Sequence, residues 1–575
     1  MKIKVSDYIV KFFEEQRLPV VFEMSGGMIA HILDSVSRQK AVRAISMHHE
    51  QGAAFAAEGF ARISGIPGVA MATSGPGATN LLTGIGSCYF DSTPAVFITG
   101  QVNRHEQKGQ REVRQLGFQE TDIVTMALPI VKAAWRVQMP EKLPELLAKA
   151  WALCLAGRPG PVLLDVPMDV QRSEIDLPDL SGEAPSAESF GDRMFLERLF
   201  AALRTAKKPL ILAGGGVRAG AATANFRAFA RAVNVPVVWS LMGVDVLPFA
   251  DPLRVGMIGS YGNRWANHAL GHSDLLVVLG SRLDIRQTGS ETDEFKRDRT
   301  IFHVDCDIGE TNNRVTGCDV SVADLDSFLA HALEFSSDQP MPPRTEWIAQ
   351  IKGWEAGWPD SKELQAGTGI NPNTFMHQLS HASKSASAYV IDVGQHQMWA
   401  AQSLEMGEDQ RFLTSGGMGS MGFALPAAIG AAIASAPRPV VVVAGDGGFQ
   451  SNIQELQTVA RNKLPVKIVI LNNNCHGMVR QFQESYFEGR YQSTMWGYSA
   501  PDFEKVAAAY GIPSRSLEAP ADVDAALNWL WQDPAQPALL QVAISPMANA
   551  YPKMAFGRPI TEMEPFATPL GMEGT

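Results

Sequence analysis

The chain has 575 residues, too many for one hydrophobic core, and this length predicts three or four domains. Hydrophobic residues make up 46% and charged residues 19%, the composition of an ordinary globular protein. The net charge of -11 argues against a nucleic acid or an anionic membrane surface as partner. No uncharged apolar run reaches the length of a membrane span, and the first residues lack the apolar stretch of a signal peptide.

In chain order, the first 175 residues alternate short apolar runs with helical patterns, and the runs at 68–73, 95–100 and 161–166 are typical of buried strands. Two similar blocks follow, at 190–340 and 365–550, with predicted strands at 209–213, 235–240, 275–279, 300–304, 388–392, 440–444, 466–471 and 538–543. Polar stretches at 175–190 and 336–344 separate the blocks, and residues 551–575 form a C-terminal arm. The pattern predicts an α/β fold of three domains, each with a doubly wound parallel sheet.

The five cysteines are scattered along these blocks, and none belongs to a CxxC pair. Their odd number and their spacing argue against a disulfide framework and against a structural zinc site. We therefore expect a protein of a reducing, cytoplasmic compartment.

The sharpest local motif is Gly445-Asp446-Gly447, directly after the predicted strand at 440–444, with Asn472-Asn473 following 24 residues later. An Asp and an Asn at the ends of two strands can bind one Mg2+, which prefers oxygen ligands and phosphate. The glycines let the backbone approach a diphosphate, and a helix that begins after Gly448 adds a favourable dipole. The alternative is a pair of ordinary strand-to-turn connections.

A second motif is the segment 49–54, HEQGAA, which leads into an Ala-rich helical pattern. Glu50 is costly to bury there as an anion, so burial would indicate a function. The alternative is an exposed acid that the dipole of the helix N-terminus stabilises.

The GDG triplet, its spacing and the Asn pair resemble the cofactor motif of thiamine diphosphate (ThDP)-dependent enzymes. The resemblance implies that the side chains of Asp446 and Asn473 and the backbone carbonyl of Cys475 bind Mg2+. It places Gly445, Gly447 and Gly448 at the cofactor. It also implies that Glu50 hydrogen-bonds N1' of the aminopyrimidine and assists removal of the C2 proton of the thiazolium.

Over nearly its whole length the chain resembles one subfamily, the acetohydroxyacid synthases, in segments 25–27, 73–80, 118–120, 394–399 and 415–422. This resemblance implies a pyruvate-oxidase-like fold and a homodimer or homotetramer. It implies that Met421 is the apolar wedge that holds the cofactor in a bent conformation and that Gly27 faces the reactive centre. It also implies that Phe118 and Gln119 reach the active site from a partner subunit. The other implied ThDP contacts are Gly26, Thr73, Pro76, Asn80, Gly394, Gln395, His396, Gln397, Gly419, His476, Gly477 and Met478.

The middle block also resembles the FAD-binding domain of that subfamily, where the flavin has a supporting, non-redox role. The implied contacts are Gly214, Gly215, Gly216, Leu241, Met242, Arg282, Asp284, Arg286, Asp305 and Asp307. The alternative is a purely structural domain, which some ThDP enzymes have.

Two features depart from the synthases. Phe482 stands where they typically carry a Trp that shapes the acceptor pocket, and a longer basic segment at 104–114 contains Arg111 and Arg114. These features, with the start of the chain and its C-terminal tail, resemble the YerE-type enzymes of branched-chain deoxysugar synthesis. That branch would use Arg111 and Arg114 to bind the diphosphate of a nucleotide sugar.

The resemblance therefore implies a carboligase that decarboxylates pyruvate and transfers the two-carbon unit to a ketone, here a nucleotide-linked 4-keto-deoxysugar, giving a tertiary alcohol. Acetohydroxyacid synthase proper, which condenses two 2-oxo acids, is the nearest alternative, and a simple decarboxylase or oxidase is another. A catalytically inactive binding subunit is disfavoured, because Glu50, Asp446 and Asn473 are all in place.

Overall fold

A computed structural model describes residues 2–176, 192–337, 339–364 and 369–573. The described chain contains three six-stranded sheets, all parallel and each flanked by helices. The predicted fold class is confirmed. The predicted linker at 175–190 lies almost entirely outside the described residues. Within the described ranges, no helix has both the length and the apolar character needed to cross a membrane.

The first domain builds its sheet in the order β3-β2-β4-β5-β7-β6, while β1 and β8 form a separate antiparallel pair. Its strands are β1 Lys2–Lys4, β2 Val20–Met24, β3 Arg43–Ser46, β4 Gly68–Ala72, β5 Ala95–Gln101, β6 Ala133–Arg136, β7 Pro161–Pro167 and β8 Glu174–Asp176. Its helices are α1 Val5–Glu15, α2 Ala30–Gln39, α3 Glu50–Ser64, α4 Pro76–Asn80, α5 Leu82–Phe90, α6 Ile123–Ala127, α7 Leu143–Leu155 and α8 Met168–Arg172.

The second domain has the sheet order β11-β10-β9-β12-β13-β14. Its strands are β9 Pro209–Ala213, β10 Val237–Trp239, β11 Arg254–Met257, β12 Leu275–Leu279, β13 Thr300–Asp305 and β14 Asp319–Val322. Its helices are α9 Arg193–Thr205, α10 Gly216–Ala219, α11 Thr223–Val233, α12 Arg264–His272, α13 Ile285–Thr288, α14 Thr292–Lys296 and α15 Leu325–Ser336. Helix α16, Thr345–Gly357, then leads toward the third domain.

The third domain has the sheet order β16-β15-β17-β18-β20-β19. Its strands are β15 Ala388–Ile391, β16 Arg411–Thr414, β17 Val440–Gly445, β18 Val466–Asn472, β19 Ser514–Leu517 and β20 Ala538–Ala543. Its helices are α17 Pro372–Ala382, α18 Gln395–Ser403, α19 Ala424–Ser435, α20 Asp446–Gln450, α21 Leu456–Asn462, α22 Gly477–Tyr486, α23 Phe503–Ala509 and α24 Val523–Leu530.

The C-terminal arm forms a small antiparallel hairpin, β21 Lys553–Met554 with β22 Met563–Glu564. It packs against the second domain, where Met554 donates its N–H to the carbonyl of Ser260 at 2.8 Å. Met554, Ile560 and Met563 join the apolar cluster beside α12. The arm is thus a fixed part of the second domain's surface.

The first and third domains share one apolar core, centred on the crossing of α3 and α19. Two glycines permit this close approach, since a side chain at Gly59 would collide with the backbone of Ala427, and one at Gly430 with the backbone of Ala56. The Ala-rich composition of α3 is therefore explained by helix packing. The same packing fixes the start of α3, where Glu50 lies.

All eleven predicted strands are present, but the sheets contain seven more: Val20–Met24, Arg43–Ser46, Ala133–Arg136, Arg254–Met257, Asp319–Val322, Arg411–Thr414 and Ser514–Leu517. Six of these seven are the two edge strands of each sheet. Edge strands have one open side and need no long apolar run, so hydrophobicity alone does not identify them.

Candidate active site

Each parallel sheet has one point at which the strand order reverses, and ligands of such folds bind at the carboxyl ends of the strands at that point. The reversal lies between β2 and β4 in the first sheet, β9 and β12 in the second, and β15 and β17 in the third. The predicted site segments lie at the carboxyl ends of these six strands, at 25–27 and 73–80, 214–216 and 281–286, and 394–397 and 445–448. The topology therefore places each group of predicted residues at a binding crevice.

A cavity of about 1590 Å³ runs from the crevice of the third sheet to that of the second. Every residue predicted to contact ThDP from the third domain lies on its wall: Gly394, Gln395, His396, Gln397, Gly419, Met421, Gly445, Asp446, Gly447, Gly448, Asn473, Cys475, His476, Gly477 and Met478. Nine of these lie at the carboxyl end of β17 or β18 or in the segments that follow, so one sheet edge carries the metal motif and the cavity together.

Asp446 is buried at the carboxyl end of β17, 2% exposed. Burial raises the pKa of Asp446 to about 6, although a hydrogen bond from the hydroxyl of Tyr498 and backbone N–H groups, including that of Cys475, act in the opposite direction. No Lys, Arg or His of the described chain forms an ion pair with this carboxylate. A buried carboxylate in this setting is suited to a metal cation as its counter-charge.

Asn473 is held on the cavity wall by a chain of amide hydrogen bonds. Its Oδ1 accepts the N–H of Cys475 at 3.2 Å, and its Nδ2 donates to Oε1 of Gln395 at 3.3 Å. Gln395 in turn donates to Gln481 on α22 at 3.1 Å. A side chain at Gly477 would collide with Gln395, so this glycine is required by the network itself. The network fixes the ends of β15 and β18 relative to each other.

His396 provides a direct test of whether a diphosphate fits here. Its Nε2 is buried and has no hydrogen-bond partner in the described chain, while the ring lies against Gly394 and Gly445. Burial lowers the pKa of His396 to about 3, so the ring is neutral. An orphaned ring nitrogen is rare and indicates a missing partner, which a phosphate oxygen would supply. Together with Asp446 and Asn473, the residues fit a metal-bound diphosphate.

Among the described residues, no group of three His, Cys, Asp or Glu side chains is arranged to hold a metal. Mg2+ needs no such group when it is bound by one carboxylate, amide and carbonyl oxygens and the phosphates of a ligand. Asp446 and Asn473 supply a carboxylate and an amide oxygen, donors that suit that cation.

Glu50 begins α3 and is buried, 9% exposed, so the exposed-acid alternative is wrong. Its Oε2 accepts a hydrogen bond from Nδ2 of Asn80 at 2.9 Å. Gly77 leaves space beside the other oxygen, since a side chain there would place its Cβ 3.2 Å from Oε1. Asn80 therefore holds one oxygen of the carboxylate, and Gly77 lies against the other.

The other predicted residues of the first domain gather around Glu50. Thr73 accepts the N–H of Met28 at 3.2 Å and lies against Gly26, which has no space for a side chain. Gly27 and Pro76 lie on the same two turns, and Gly27 has open space around it. These residues are not on the wall of the large cavity, so within the described single chain the two halves of the predicted ThDP site do not form one pocket.

Gln119 lies against the turn of Gly75, where an added side chain would place its Cβ 2.9 Å from the Cβ of Gln119. Phe118 next to it is 78% exposed, a large apolar ring without cover in the single chain. Both residues therefore lie beside the Glu50 cluster.

The basic segment forms a loop that Glu120 closes. The carboxylate of Glu120 accepts the N–H groups of Lys108 at 2.6 Å and Leu116 at 2.9 Å. Arg104 pairs with Asp169 at 2.7 Å and is thus a structural contact, while Arg111 and Arg114 are exposed. The loop adjoins Phe118 and Gln119 in the chain.

The segment 415–422, which carries Met421, is held at both ends by carboxylates that the sequence did not indicate. Asp91 accepts the N–H groups of Gly416 at 3.0 Å and Gly417 at 2.7 Å. Asp392 accepts those of Gly422 at 2.9 Å and Ala424 at 3.0 Å. Burial raises the pKa of Asp392 to about 6, although its backbone hydrogen bonds act to lower that pKa. Residue spacing in the sequence does not reveal pairs that lie so far apart in the chain. The one available sequence signal is that both Asp residues follow an apolar stretch.

In the second domain, eight of the ten predicted FAD contacts lie on the cavity wall: Gly215, Gly216, Leu241, Met242, Arg282, Asp284, Arg286 and Asp305. Gly214 and Asp307 do not. Gly214 packs against the turn at Gly280, and Asp307 caps the turn at Gly309 and pairs with Arg158 at 3.4 Å. Their roles in the structure are packing and turn formation.

Phe482 also lies off the cavity wall of the single chain. It is half-buried on α22 and packs against Tyr486, with ring centroids 4.7 Å apart, and against Phe487 at 5.7 Å. The structure thus places this residue among aromatic neighbours on the helix that begins at Gly477.

Comparisons with known proteins agree with this geometry. Residues 3–126 match the N-terminal TPP binding domain of thiamine pyrophosphate enzymes, residues 196–331 the central domain, and residues 392–542 the C-terminal TPP binding domain. Thiamine pyrophosphate is another name for ThDP. The fold and its crevices are those of a ThDP enzyme, and the chain belongs to the thiamine pyrophosphate enzyme family.

Within that family the chain is similar to acetolactate synthase large subunits. It is 37% identical to the isozyme 1 large subunit of Escherichia coli over 97% of both chains. It is 37% identical to the large subunit of Corynebacterium glutamicum, over 96% of this chain and 88% of that one. With the large subunit of Lactococcus lactis it shares 34% identity, over 97% of this chain and 95% of that one. The chain is therefore a ThDP enzyme of the acetolactate synthase large-subunit type.

Proposed function

We propose that this chain is a ThDP- and Mg2+-dependent carboligase that decarboxylates pyruvate and transfers the two-carbon unit to a second carbonyl compound. The observation that carries the proposal is the joint placement of Asp446, Asn473 and the unpartnered Nε2 of His396 on one cavity wall. Bound there, ThDP would supply the electron sink that lets pyruvate lose CO2 and its former carbonyl carbon act as a nucleophile.

The protein's own part is to bind, orient and move protons. Asp446, Asn473 and the carbonyl of Cys475 would hold Mg2+, and His396 with the glycines at 445–448 would receive the diphosphate. Glu50, oriented by Asn80, would exchange a proton with the aminopyrimidine. Met421, on the segment held by Asp91 and Asp392, would pack against the bound cofactor and support it.

A complete site would need two copies of the chain. The Glu50 cluster and the metal cavity are separate in one chain, and Phe118, Met418 and Met421 are exposed apolar side chains beside them. A partner subunit that supplies the Glu50 cluster to the cavity would cover these side chains and complete the site. We therefore propose a homodimer or a tetramer built from such dimers.

For the acceptor, the relatives favour a second 2-oxo acid, because all the named ones are acetolactate synthases. The nucleotide-linked keto-sugar is a second candidate. What favours it is the pair of exposed guanidinium groups, Arg111 and Arg114, on the loop beside Gln119, since Arg binds diphosphate well.

FAD is the ligand that we propose for the part of the cavity in the second domain. Gly215 and Gly216 follow β9, and Arg282 and Arg286 follow β12, at the reversal point of that sheet. Purified protein is expected to carry an oxidised, yellow flavin whose reduction by dithionite leaves the ligation rate unchanged. A fully active, colourless enzyme that does not take up FAD would contradict this assignment.

The test of the acceptor supplies the enzyme with ThDP, Mg2+ and pyruvate, alone and with nucleotide 4-keto-6-deoxysugars, and detects products by mass. Acetolactate as the main product in all mixtures would identify a synthase; a two-carbon adduct of the sugar would identify the second candidate. In that case Arg111→Ala and Arg114→Ala should raise KM for the sugar and leave acetolactate formation unchanged. Absence of CO2 release from pyruvate would reject the proposed function.

A further inference from the structure

The hydroxyl of Tyr498 donates a hydrogen bond to Oδ2 of Asp446 at 3.0 Å. Tyr498 lies 52 residues after Asp446 in the chain, on the loop that follows α22, and no part of the GDG motif indicates it. It is therefore a contact to the predicted metal ligand that only the tertiary structure provides.

The loop that carries Tyr498 is held against the cavity by several hydrogen bonds. The carbonyl of Thr494 accepts the N–H of His476 at 3.1 Å, and the hydroxyl of Thr494 donates to Oε1 of Gln483 on α22 at 2.6 Å. Gln483 donates in return to the carbonyl of Gln492 at 3.0 Å. Tyr498 is thus attached to the same helix that begins at the metal site.

The ring of Tyr498 also packs on His476, with centroids 4.4 Å apart. The two side chains cover the backbone of Gly447, where an added Cβ would lie 2.7 Å from Cε1 of His476 and 3.3 Å from the hydroxyl of Tyr498. The two aromatic rings therefore leave room only for glycine at Gly447, the second glycine of the GDG triplet. Asp446 lies between the end of its strand and these two rings.

We infer that Tyr498 is a positioning residue for the metal site, which holds one oxygen of the Asp446 carboxylate so that the group keeps its orientation toward the cation. The inference rests on the proposed function, because it needs Mg2+ at Asp446. Hydrogen-bond partners of metal ligands commonly affect metal affinity about 10- to 100-fold, since they remove the cost of orienting the ligand when the metal binds.

The experiment titrates the full-length apoprotein with Mg2+ at fixed ThDP and follows cofactor binding by quenching of Trp fluorescence. Tyr498→Phe removes the hydroxyl and keeps the ring against His476. It should raise the half-saturating Mg2+ concentration about 10- to 100-fold. At saturating Mg2+ the ThDP binding should return to that of the unsubstituted protein. Tyr491→Phe is the matched control, because Tyr491 lies in the same loop with its ring 6.2 Å from Trp496, and it should leave the titration unchanged.

Thermal unfolding of the apoproteins separates positioning from folding. Tyr498→Phe should lose more thermal stability in the presence of Mg2+ and ThDP than without them, because the lost hydrogen bond to Asp446 affects both states while weaker metal binding affects only the first. An unchanged half-saturating Mg2+ concentration would overturn the inference, as would an equal loss of stability with and without the metal. If the unsubstituted protein bound no ThDP at any Mg2+ concentration, the proposed function itself would fail.

Discussion

The carboxylate of Asp91 accepts the backbone N–H of Gly417 at 2.7 Å and so joins the end of α5 in the first domain to the segment 415–422 of the third. The same carboxylate accepts the N–H of Gly416, so one side chain satisfies two successive backbone donors. Gly419 and Gly422 within the segment have positive φ of 68° and 86°, a conformation that favours glycine. The segment is thus shaped locally by glycine and fixed in place from another domain.

We expect Asp91→Asn to weaken this attachment, because an amide has only one acceptor oxygen. Its NH2 group would face one of the two backbone N–H groups, and two donors cannot form a hydrogen bond with each other. The loss should be about 1–3 kcal/mol in the free energy of unfolding, measured in urea. If the segment supports the cofactor, the dissociation constant of ThDP should also rise. Asp122→Asn, at an exposed Asp of the same domain that pairs with Arg136, is the control and should change neither quantity much. An unchanged ThDP affinity in Asp91→Asn would show that the segment 415–422 does not contribute to cofactor binding.

Glu50→Gln tests the proton exchange proposed for α3. The amide keeps the shape of the side chain and its contact with Asn80 but cannot exchange a proton. ThDP should still bind, whereas exchange of its C2 proton with deuterium, followed by NMR, should slow by about 10²- to 10⁴-fold. Glu58→Gln, at a buried Glu two turns further along the same helix, controls for general effects on α3. If the C2 proton of ThDP exchanged in Glu50→Gln at the wild-type rate, Glu50 would have no part in this proton transfer.

The proposed two-subunit site makes a prediction for mixed oligomers. Glu50→Gln and Asp446→Ala proteins should each be nearly inactive alone. After they are unfolded and refolded together, activity should return to about a quarter of the wild-type value, since about half of the dimers are mixed and each mixed dimer has one intact site. Recovery measured as CO2 release from pyruvate would support sites shared between subunits. If the mixture stays as inactive as its components while each component refolds and dimerises, the site lies within one chain.

His377 gives the expected pH dependence of stability. Its Nδ1 contacts Glu405 at 2.9 Å and its Nε2 contacts Asp360 at 3.0 Å, while Glu405 also binds His381 at 2.9 Å. Burial lowers the pKa of His377, but the hydrogen bonds and charges of Asp360 and Glu405 outweigh it and raise the pKa above its ordinary value of 6.5.

A raised His pKa contributes stability that is fully present below pH 6.5 and is lost as the pH rises through the folded-state pKa. The free energy of unfolding of the wild type should therefore fall as the pH rises above 6.5. His377→Gln should be less stable by about 1–3 kcal/mol at pH 6 and should show a smaller fall. His381→Gln is the comparison, because His381 is 62% exposed and should affect this slope less. Identical slopes in all three proteins would show that His377 does not carry the dependence.

The sequence by itself determined the class of the fold and the motifs at the strand ends. Central parallel strands are buried on both faces and therefore appear as apolar runs, so eleven of them could be predicted. Asp446 and Asn473 could be predicted because Asp446 directly follows β17 and Asn473 directly follows β18. Neighbouring parallel strands bring their carboxyl ends to one edge of the sheet. The edge strands were missed because a strand that pairs on one side only needs no such run.

Only the tertiary structure decided which side chains hold these motifs in place. Asp91 meets Gly417 across 326 positions of the chain, and Tyr498 meets Asp446 across 52. Such pairs have no period or spacing, because they depend on how whole domains and loops pack. The tertiary structure also separated the Glu50 cluster from the metal cavity within one chain, a distance that no local pattern encodes. Local physical chemistry thus specifies strands and strand-end motifs, whereas the partners of those motifs are fixed by packing over the whole chain.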